Sequence, residues 1–201
     1  MISADHKFIF DTIEPGSSVL DLGCGDGELL ALLNKRKNVK SCGIEIDEKA
    51  IYSCIEKGVT VLHGDVDSGL SEYEDKSFDY VILNQSLQQI SNLQKVLSDS
   101  LRVGRKVIVG FPNFTYWWSR VQFFFEGKAP VTSSLPYNWF DSPNKHFFSI
   151  KDFKKYCAEK DIKIDAECYL STKGTVHFLP NFFARTAIFL ITSKNGDKIS
   201  V

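Results

Sequence analysis

Long apolar runs are missing from this sequence. None approaches the roughly 20 residues that a bilayer-spanning helix requires, so no transmembrane segment is expected. A cationic start followed by an apolar stretch is missing too, which argues against a secretory signal. Cysteine is sparse and unpatterned. Cys24, Cys42, Cys54, Cys157 and Cys168 are odd in number and form no C-x-x-C pair, so neither a disulfide framework nor a zinc site is expected. His6, His63, His146 and His177 have no metal-ligand spacing. Neither sign of charge is in excess: 24 Lys and Arg stand against 25 Asp and Glu, a net charge of −1. No electrostatic footprint for nucleic acid follows from that balance. The expectation is a cytoplasmic protein that binds a small molecule or a protein partner.

What is present is organised around Val19-Leu-Asp-Leu-Gly-Cys-Gly-Asp-Gly27. Val-Leu-Asp-Leu reads as a short buried strand, the alternate glycines as a tight turn, and Glu28 onward as a helix with Leu29, Leu30, Leu32 and Leu33 on one side. Strand, glycine loop and helix N-terminus make a nucleotide-binding crevice. The pattern is G-x-G-x-G, not the G-x-G-x-x-G of dinucleotide enzymes, and no Lys-Ser/Thr follows as in a P-loop. With Asp21 two residues before the first glycine, it looks like motif I of class I S-adenosylmethionine (SAM)-dependent methyltransferases.

The remaining elements alternate. A helix over 2–13 ends at Pro15-Gly16, with Phe8, Ile9 and Ile13 as candidates for its buried side. Strands are predicted at 18–22, 39–46, 59–63, 78–84 and 106–111, and helices at about 27–36, 48–57 and 92–101. This β-α alternation predicts an α/β, Rossmann-like, mostly parallel sheet. Strands over about 163–171 and 184–193 are predicted to pair antiparallel at its edge, for seven strands with an antiparallel last one. A helix over about 149–159 precedes them, and 194–201 reads as a frayed tail. The whole of 1–201 is expected to be one domain, a size at which roughly 70% of the unfolded surface is buried.

Candidate ligand groups fall at the strand ends. Glu45 closes the second strand, where an α/β nucleotide fold places an acid that accepts from ribose hydroxyls. Asp65, just past the third strand, is placed to accept from an exocyclic amine, with Val66 as an amide and apolar wall. Asp21 would orient an amino group, and the amides around Gly23, Cys24, Gly25 and Gly27 would hold the other polar end of the ligand. Ile46 and Asn84, at the ends of the second and fourth strands, complete the cofactor-binding set. Each has a plainer reading: Asp21 could satisfy loop amides, Glu45 could cap, and Asp65 could form an Asx-turn. Gln88 and Gln89 could contact a ligand or start a helix.

From Pro112 the character changes. Residues 112–149 hold twelve aromatics, among them Tyr116, Trp117, Trp118, Phe123, Phe124, Phe125, Tyr137, Trp139 and Phe140. So long an insertion beside a crevice reads as a lid or binding loop. A helix is predicted over 114–126, and most of the rings are expected to pack onto the sheet. Tyr137, Asp141 and His146 are the candidate catalytic residues. No metal-binding cluster is expected.

The runs Gly43-Ile-Glu-Ile-Asp47, Gly64-Asp-Val-Asp-Ser-Gly-Leu70, Ser77–Gln89 and Val109–Phe114 resemble the MetW family of methionine-biosynthesis proteins. Gly127–His146 and Phe148-Ser-Ile-Lys-Asp-Phe153 carry the resemblance into the insertion, so that it covers about 5–192. Lys145 and Phe140 stand where that pattern suggests an Ile-like residue and a tyrosine, both at positions expected to be clear of the cofactor motifs. The resemblance implies a class I methyltransferase fold and SAM or S-adenosylhomocysteine as cofactor. It also implies a place in methionine biosynthesis, with homoserine O-acyltransferase as a partner in some bacteria. Two functions then compete: methyl transfer to a small metabolite, and a SAM-binding partner or regulator of the acyltransferase. A closed polar pocket beside the cofactor would favour the first, and an exposed apolar patch over the insertion the second. An NAD-type oxidoreductase is disfavoured by the glycine spacing and the antiparallel last strand.

Overall fold

The computed structural model describes residues 3–194. It contains β1 (Ser18–Leu22), β2 (Lys40–Glu45), β3 (Val61–His63), β4 (Phe78–Asn84), β5 (Gly104–Pro112), β6 (Ile162–Ser171), β7 (Gly174–Thr175) and β8 (Thr186–Ser193). Their order in one sheet is β3-β2-β1-β4-β5-β8-β6-β7. β1 to β5 are mutually parallel, whereas β8 runs antiparallel to both neighbours. The helices are α1 (Ala4–Thr12), α2 (Glu28–Lys37), α3 (Glu48–Glu56), α4 (Leu93–Val103), α5 (Trp117–Val121), α6 (Ile150–Glu159) and α7 (Pro180–Phe183).

Strand alternation explains why both sheet faces are covered. Val19, Tyr80, Ile82, Ile108 and Ile188 turn to one face and pack with Ile9, Ile13, Leu29, Leu30, Leu33 and Cys54. Leu20, Leu22, Val81, Leu83, Val107 and Val109 turn to the other and pack with Val96, Leu97 and Leu101 of α4 and Ile150 and Phe153 of α6. The near-continuous apolar run of β4 is what a strand buried on both faces requires. Local chemistry marks the helix ends as expected. Asp47 caps α3 by accepting from the Ala50 amide at 2.9 Å. Gly58 leaves that helix at φ 71°. Ser149 and Asp152 form a reciprocal capping box on α6.

The structure departs from expectation in three places. The sheet has eight strands rather than seven; the addition is the two-residue β7, which pairs with Leu170 and Ser171. The antiparallel pair expected at the sheet edge is there: β6 and β8 pair antiparallel, with β8 the inner of the two, between β5 and β6. The β8 residues Ala187, Ile188, Phe189 and Ile191 are buried, which an edge strand would leave half exposed. The predicted helix over 114–126 is shorter and irregular: α5 gives way to a π-helical turn at Gln122–Glu126 that Gly127 ends at φ 62°. Last, most rings of the insertion do not pack. Tyr116 is buried, but Phe124, Phe125, Trp139 and Phe140 are 82%, 77%, 80% and 71% exposed. The sheet face they would need is already covered by α6, whose Phe153 packs with Phe111 and Phe189. The tail expected at 194–201 falls, from residue 195 on, outside the described residues.

The insertion is nonetheless tied down. Lys145 and His146 both donate their amides to the Gln88 carbonyl, at 2.9 and 3.0 Å. Gln122 clamps Val131 through a reciprocal side-chain to backbone pair, at 3.0 and 2.8 Å.

Candidate functional site

β1 lies between β2 and β4, and the connections from β1 and β4 leave in opposite directions across the sheet. Such a switch point opens a crevice at the carboxyl ends of the strands. A cavity of about 590 Å³ occupies it. Asp21, Gly23, Cys24, Gly25, Glu45, Ile46, Asp65, Val66 and Asn84 all line it. Gly27 does not. It sits at φ 73° at the start of α2, where an added Cβ would lie 2.8 Å from the Cys54 sulfur, so its smallness serves packing of α2 on α3.

The glycine loop is built differently from the amide cradle expected. The Gly23 and Cys24 amides donate to the Ile44 carbonyl, at 2.8 and 3.2 Å, and Gly27 donates to Cys24. Gly25 donates to Glu45 Oε2 at 2.9 Å. These amides are engaged within the fold, so the loop offers close backbone approach more than free donors. Glu45 Oε1 takes the Ile46 and Asp47 amides at 2.8 and 2.9 Å. A carboxylate has about four acceptor positions, so these three bonds leave one over on Glu45, which lines the cavity. Asp65 forms the turn of its plainer reading and leaves one oxygen over. Oδ1 accepts from the Asp67 amide at 2.9 Å and starts the 3-10 turn Val66–Ser68, while Oδ2 makes no hydrogen bond among the described residues.

Asp21 is the unusual group. It is 3% exposed, yet its carboxylate makes no side-chain hydrogen bond among the described residues. Burial, with a smaller contribution from the Glu45 charge, pushes its carboxyl up to about 7. A buried carboxylate without a partner is costly, and it is placed on the wall of a cavity. Burial also pushes the Cys24 thiol up, with Asp21 adding to the shift, so that thiol is no nucleophile. No cluster of His, Cys, Asp or Glu able to hold a metal occurs among the described residues.

Several lining residues have no sequence motif. Asp5 and His6 come from α1, and Asp5 accepts from Asn84 Nδ2 at 3.0 Å. Burial of Asp5 opposes its charge, but the Ser3 and Asn84 bonds and His6 outweigh it and lower its pKa. His6 also adds to the lowering of the Asp26 carboxyl, which is led by its bond to Lys57. Lys145 corrects an expectation: it lines the cavity, donates to Ser91 Oγ at 2.6 Å and lies 3.7 Å from Asp67 Oδ2. Asp67 in turn accepts from the Ser91 and Asn92 amides. In sum, seven carboxylates line the cavity against one lysine and one histidine, an electrostatic setting for a cationic ligand.

A second cavity, about 430 Å³, adjoins the first and shares Asp5, Gln85 and Gln89 with it. Most of its lining residues carry polar side chains, and Tyr137 of the candidate catalytic set is among them. Asp141 is exposed and lines neither cavity. His146 lines neither, but its Nε2 is buried without a partner. Gln88, one of the two glutamines weighed in the sequence, is buried and lines the second cavity.

The family model described as methionine biosynthesis protein MetW matches residues 3–191. The bifunctional methionine biosynthesis protein MetXA/MetW of Rhodopirellula baltica is 34% identical over 207 residues, covering 96% of this chain and 33% of its own length. The chain thus spans about a third of that curated relative. Among solved structures, a SAM-dependent methyltransferase from Archaeoglobus fulgidus is 20% identical, with a TM-score of 0.64 over 94% of this chain and 91% of its own. A TehB-like SAM-dependent methyltransferase from Corynebacterium glutamicum is 14% identical, with a TM-score of 0.65 over 96% and 89%. At these identities the likeness is one of fold, and the fold is that of class I SAM-dependent methyltransferases.

Proposed function

Because this chain belongs to the methionine biosynthesis protein MetW family, we propose that it binds SAM at the switch-point cavity and directs its methyl group to a small metabolite. The observation that carries this reading is Asp21: a buried carboxylate without a side-chain partner, on the wall of a strongly acidic cavity. SAM bears an ammonium and a sulfonium, and each suits such walls. When bound, it supplies a methyl on a positively charged sulfur, which departs as a neutral thioether.

The chain's own residues then bind and orient. Asp21 accepts from the ligand ammonium. Glu45 offers its remaining acceptor position to a ribose hydroxyl. Asp65 Oδ2 accepts from the adenine amine beside Val66. His6 stands by the loop end of the cavity and matches the ligand carboxylate, the task the engaged loop amides leave open. The adjoining polar cavity takes the methyl acceptor, and alignment of acceptor and methyl is the protein's main contribution to rate.

A second reading is supported by a different observation. Phe124, Phe125, Trp139 and Phe140 leave an exposed aromatic surface on the insertion, and aromatics are enriched at interface hot spots. The relative whose name joins MetXA and MetW in one bifunctional chain supports physical association with the homoserine O-acyltransferase that the family resemblance implies. The two readings are compatible, since the aromatic surface and the cavities are formed by different residues. Calorimetric titration of the protein with SAM and with S-adenosylhomocysteine tests the first. Saturable binding of either supports it, and absence of heat and of thermal stabilisation with both overturns it.

A further inference from the structure

The second cavity contains polar groups that nothing among the described residues satisfies. Arg185 is the principal one. Its backbone is fixed at both ends: its amide donates to the Leu170 carbonyl at 2.7 Å, and its carbonyl accepts from the Asn113 amide at 2.7 Å. Its guanidinium lies 5.2 Å from the centre of the buried Tyr116 ring and donates from Nη1 to Ser133 Oγ at 2.6 Å. The Nε is buried without a partner, and Arg185 forms no ion pair among the described residues. A guanidinium has five donors in a rigid fork and cannot lose its charge. One half-buried beside a cavity and in no ion pair among the described residues is a group open to a partner from outside them.

Two orphaned acceptors line the same cavity. Gln88 is 6% exposed, and its Oε1 has no partner, although its Nε2 donates to the Gln85 carbonyl at 2.7 Å. Asn144 Oδ1 is buried and unpartnered as well. Unmet buried acceptors call for a donor. The geometry points to a small hydroxy- or amino-carboxylate as the occupant of this cavity, its carboxylate on Arg185 and its hydroxyl or ammonium on Gln88 and Asn144. The inference rests on the methyltransferase reading and names the class of acceptor for it. The wall shared through Asp5, Gln85 and Gln89 places such a ligand beside the cofactor cavity. Arg185 is then a specificity-determining residue, and a planar guanidinium suits a carboxylate taken bidentately.

The test uses the whole chain saturated with S-adenosylhomocysteine. Ligand-observed NMR titrates a panel of small hydroxy and amino acids, each beside its carboxamide, with inorganic phosphate as a competing anion. At least one acid is expected to bind, with its carboxamide weaker by about tenfold or more, the scale of one charge-assisted hydrogen bond. Arg185→Gln is expected to remove that preference, and Arg185→Lys to restore part of it. Equal binding of acid and carboxamide, or no binding by any member of the panel, overturns the inference. Phosphate binding in place of every acid overturns the carboxylate assignment. Should Arg185→Gln fail to fold, the acid–carboxamide comparison in the unaltered protein decides. S-adenosylhomocysteine binding is measured first in the same samples. Its loss would refute the cofactor reading, whereas its presence without acid binding would refute only this one.

Discussion

Asp21→Asn separates ligand recognition from folding in a single substitution. The carboxyl is fully buried and pushed from 3.8 up to about 7. At about 1.4 kcal/mol per pKa unit, keeping it ionised in the fold costs at most about 4 kcal/mol, less whatever hydration the cavity supplies. The sign follows from the folded value being the higher one. Below about pH 4 the group is protonated in both states and costs nothing. Between about pH 4 and 7 the unfolded chain has released the proton and the folded one retains it, so stability falls as pH rises. Above about 7 the cost is complete. Asparagine fills the same space without the charge, so the variant is expected to lack this slope. At pH 8 it should melt higher than the unaltered protein by up to roughly 10 °C, the equivalent of a few kcal/mol at this chain length. The gap should close towards pH 4. SAM binding should move the other way, weaker by roughly 10- to 100-fold for loss of a charge-assisted bond to the ammonium. In the unaltered protein near pH 7, binding should release a proton from Asp21, seen as a calorimetric enthalpy that depends on the buffer. Parallel melting curves from pH 4 to 8 for both proteins would refute the assignment of a buried, unpaired carboxylate. Unchanged SAM affinity in the variant would refute its role in recognition.

Glu45→Gln leaves one oxygen for three backbone donors; a stability loss of about 1–3 kcal/mol with weaker SAM binding is expected in denaturant unfolding and calorimetry. An unchanged unfolding midpoint would show that Glu45 does not pin the glycine loop. Gly27→Ala adds a Cβ 2.8 Å from the Cys54 sulfur at a φ of 73°. It should lower stability by about 1–3 kcal/mol, and adding Cys54→Ala should recover only the steric share, as thermal melts would read. Phe124→Ser with Phe125→Ser alters rings that are 82% and 77% exposed. Stability should stay within about 0.5 kcal/mol per site, while affinity for a homoserine O-acyltransferase should fall by about tenfold or more in surface plasmon resonance; equal affinity would place the interface elsewhere.

The parts of the molecule legible in the sequence are those specified by neighbours in the chain. The apolar runs at 18–22, 78–84 and 106–111 lie in β1, β4 and β5, because a strand covered on both faces has no polar side to alternate with. Asp47 and Ser149 announce their helices through caps that act three residues away. Glu45 and Asp65 are visible because strand-end positions in a parallel sheet converge whatever the intervening helices contain. Membership of the family was legible as well, since the residues that carry it include the insertion.

Contacts between distant segments were decided by the tertiary structure. His6 and Arg185 sit in no motif and Lys145 departs from the one it lies in, and only the docking of α1, the strap at Gln88 and the insertion of β8 between β5 and β6 bring them to the cavities. The glycine loop shows the same limit from the other side. Its spacing announces close backbone approach, but whether its amides are free depends on Ile44 and Glu45, which belong to the next strand. The aromatic insertion is the plainest case. A sequence shows how much apolar surface a segment carries, but not whether a sheet face remains open to receive it, and here α6 had already taken that face.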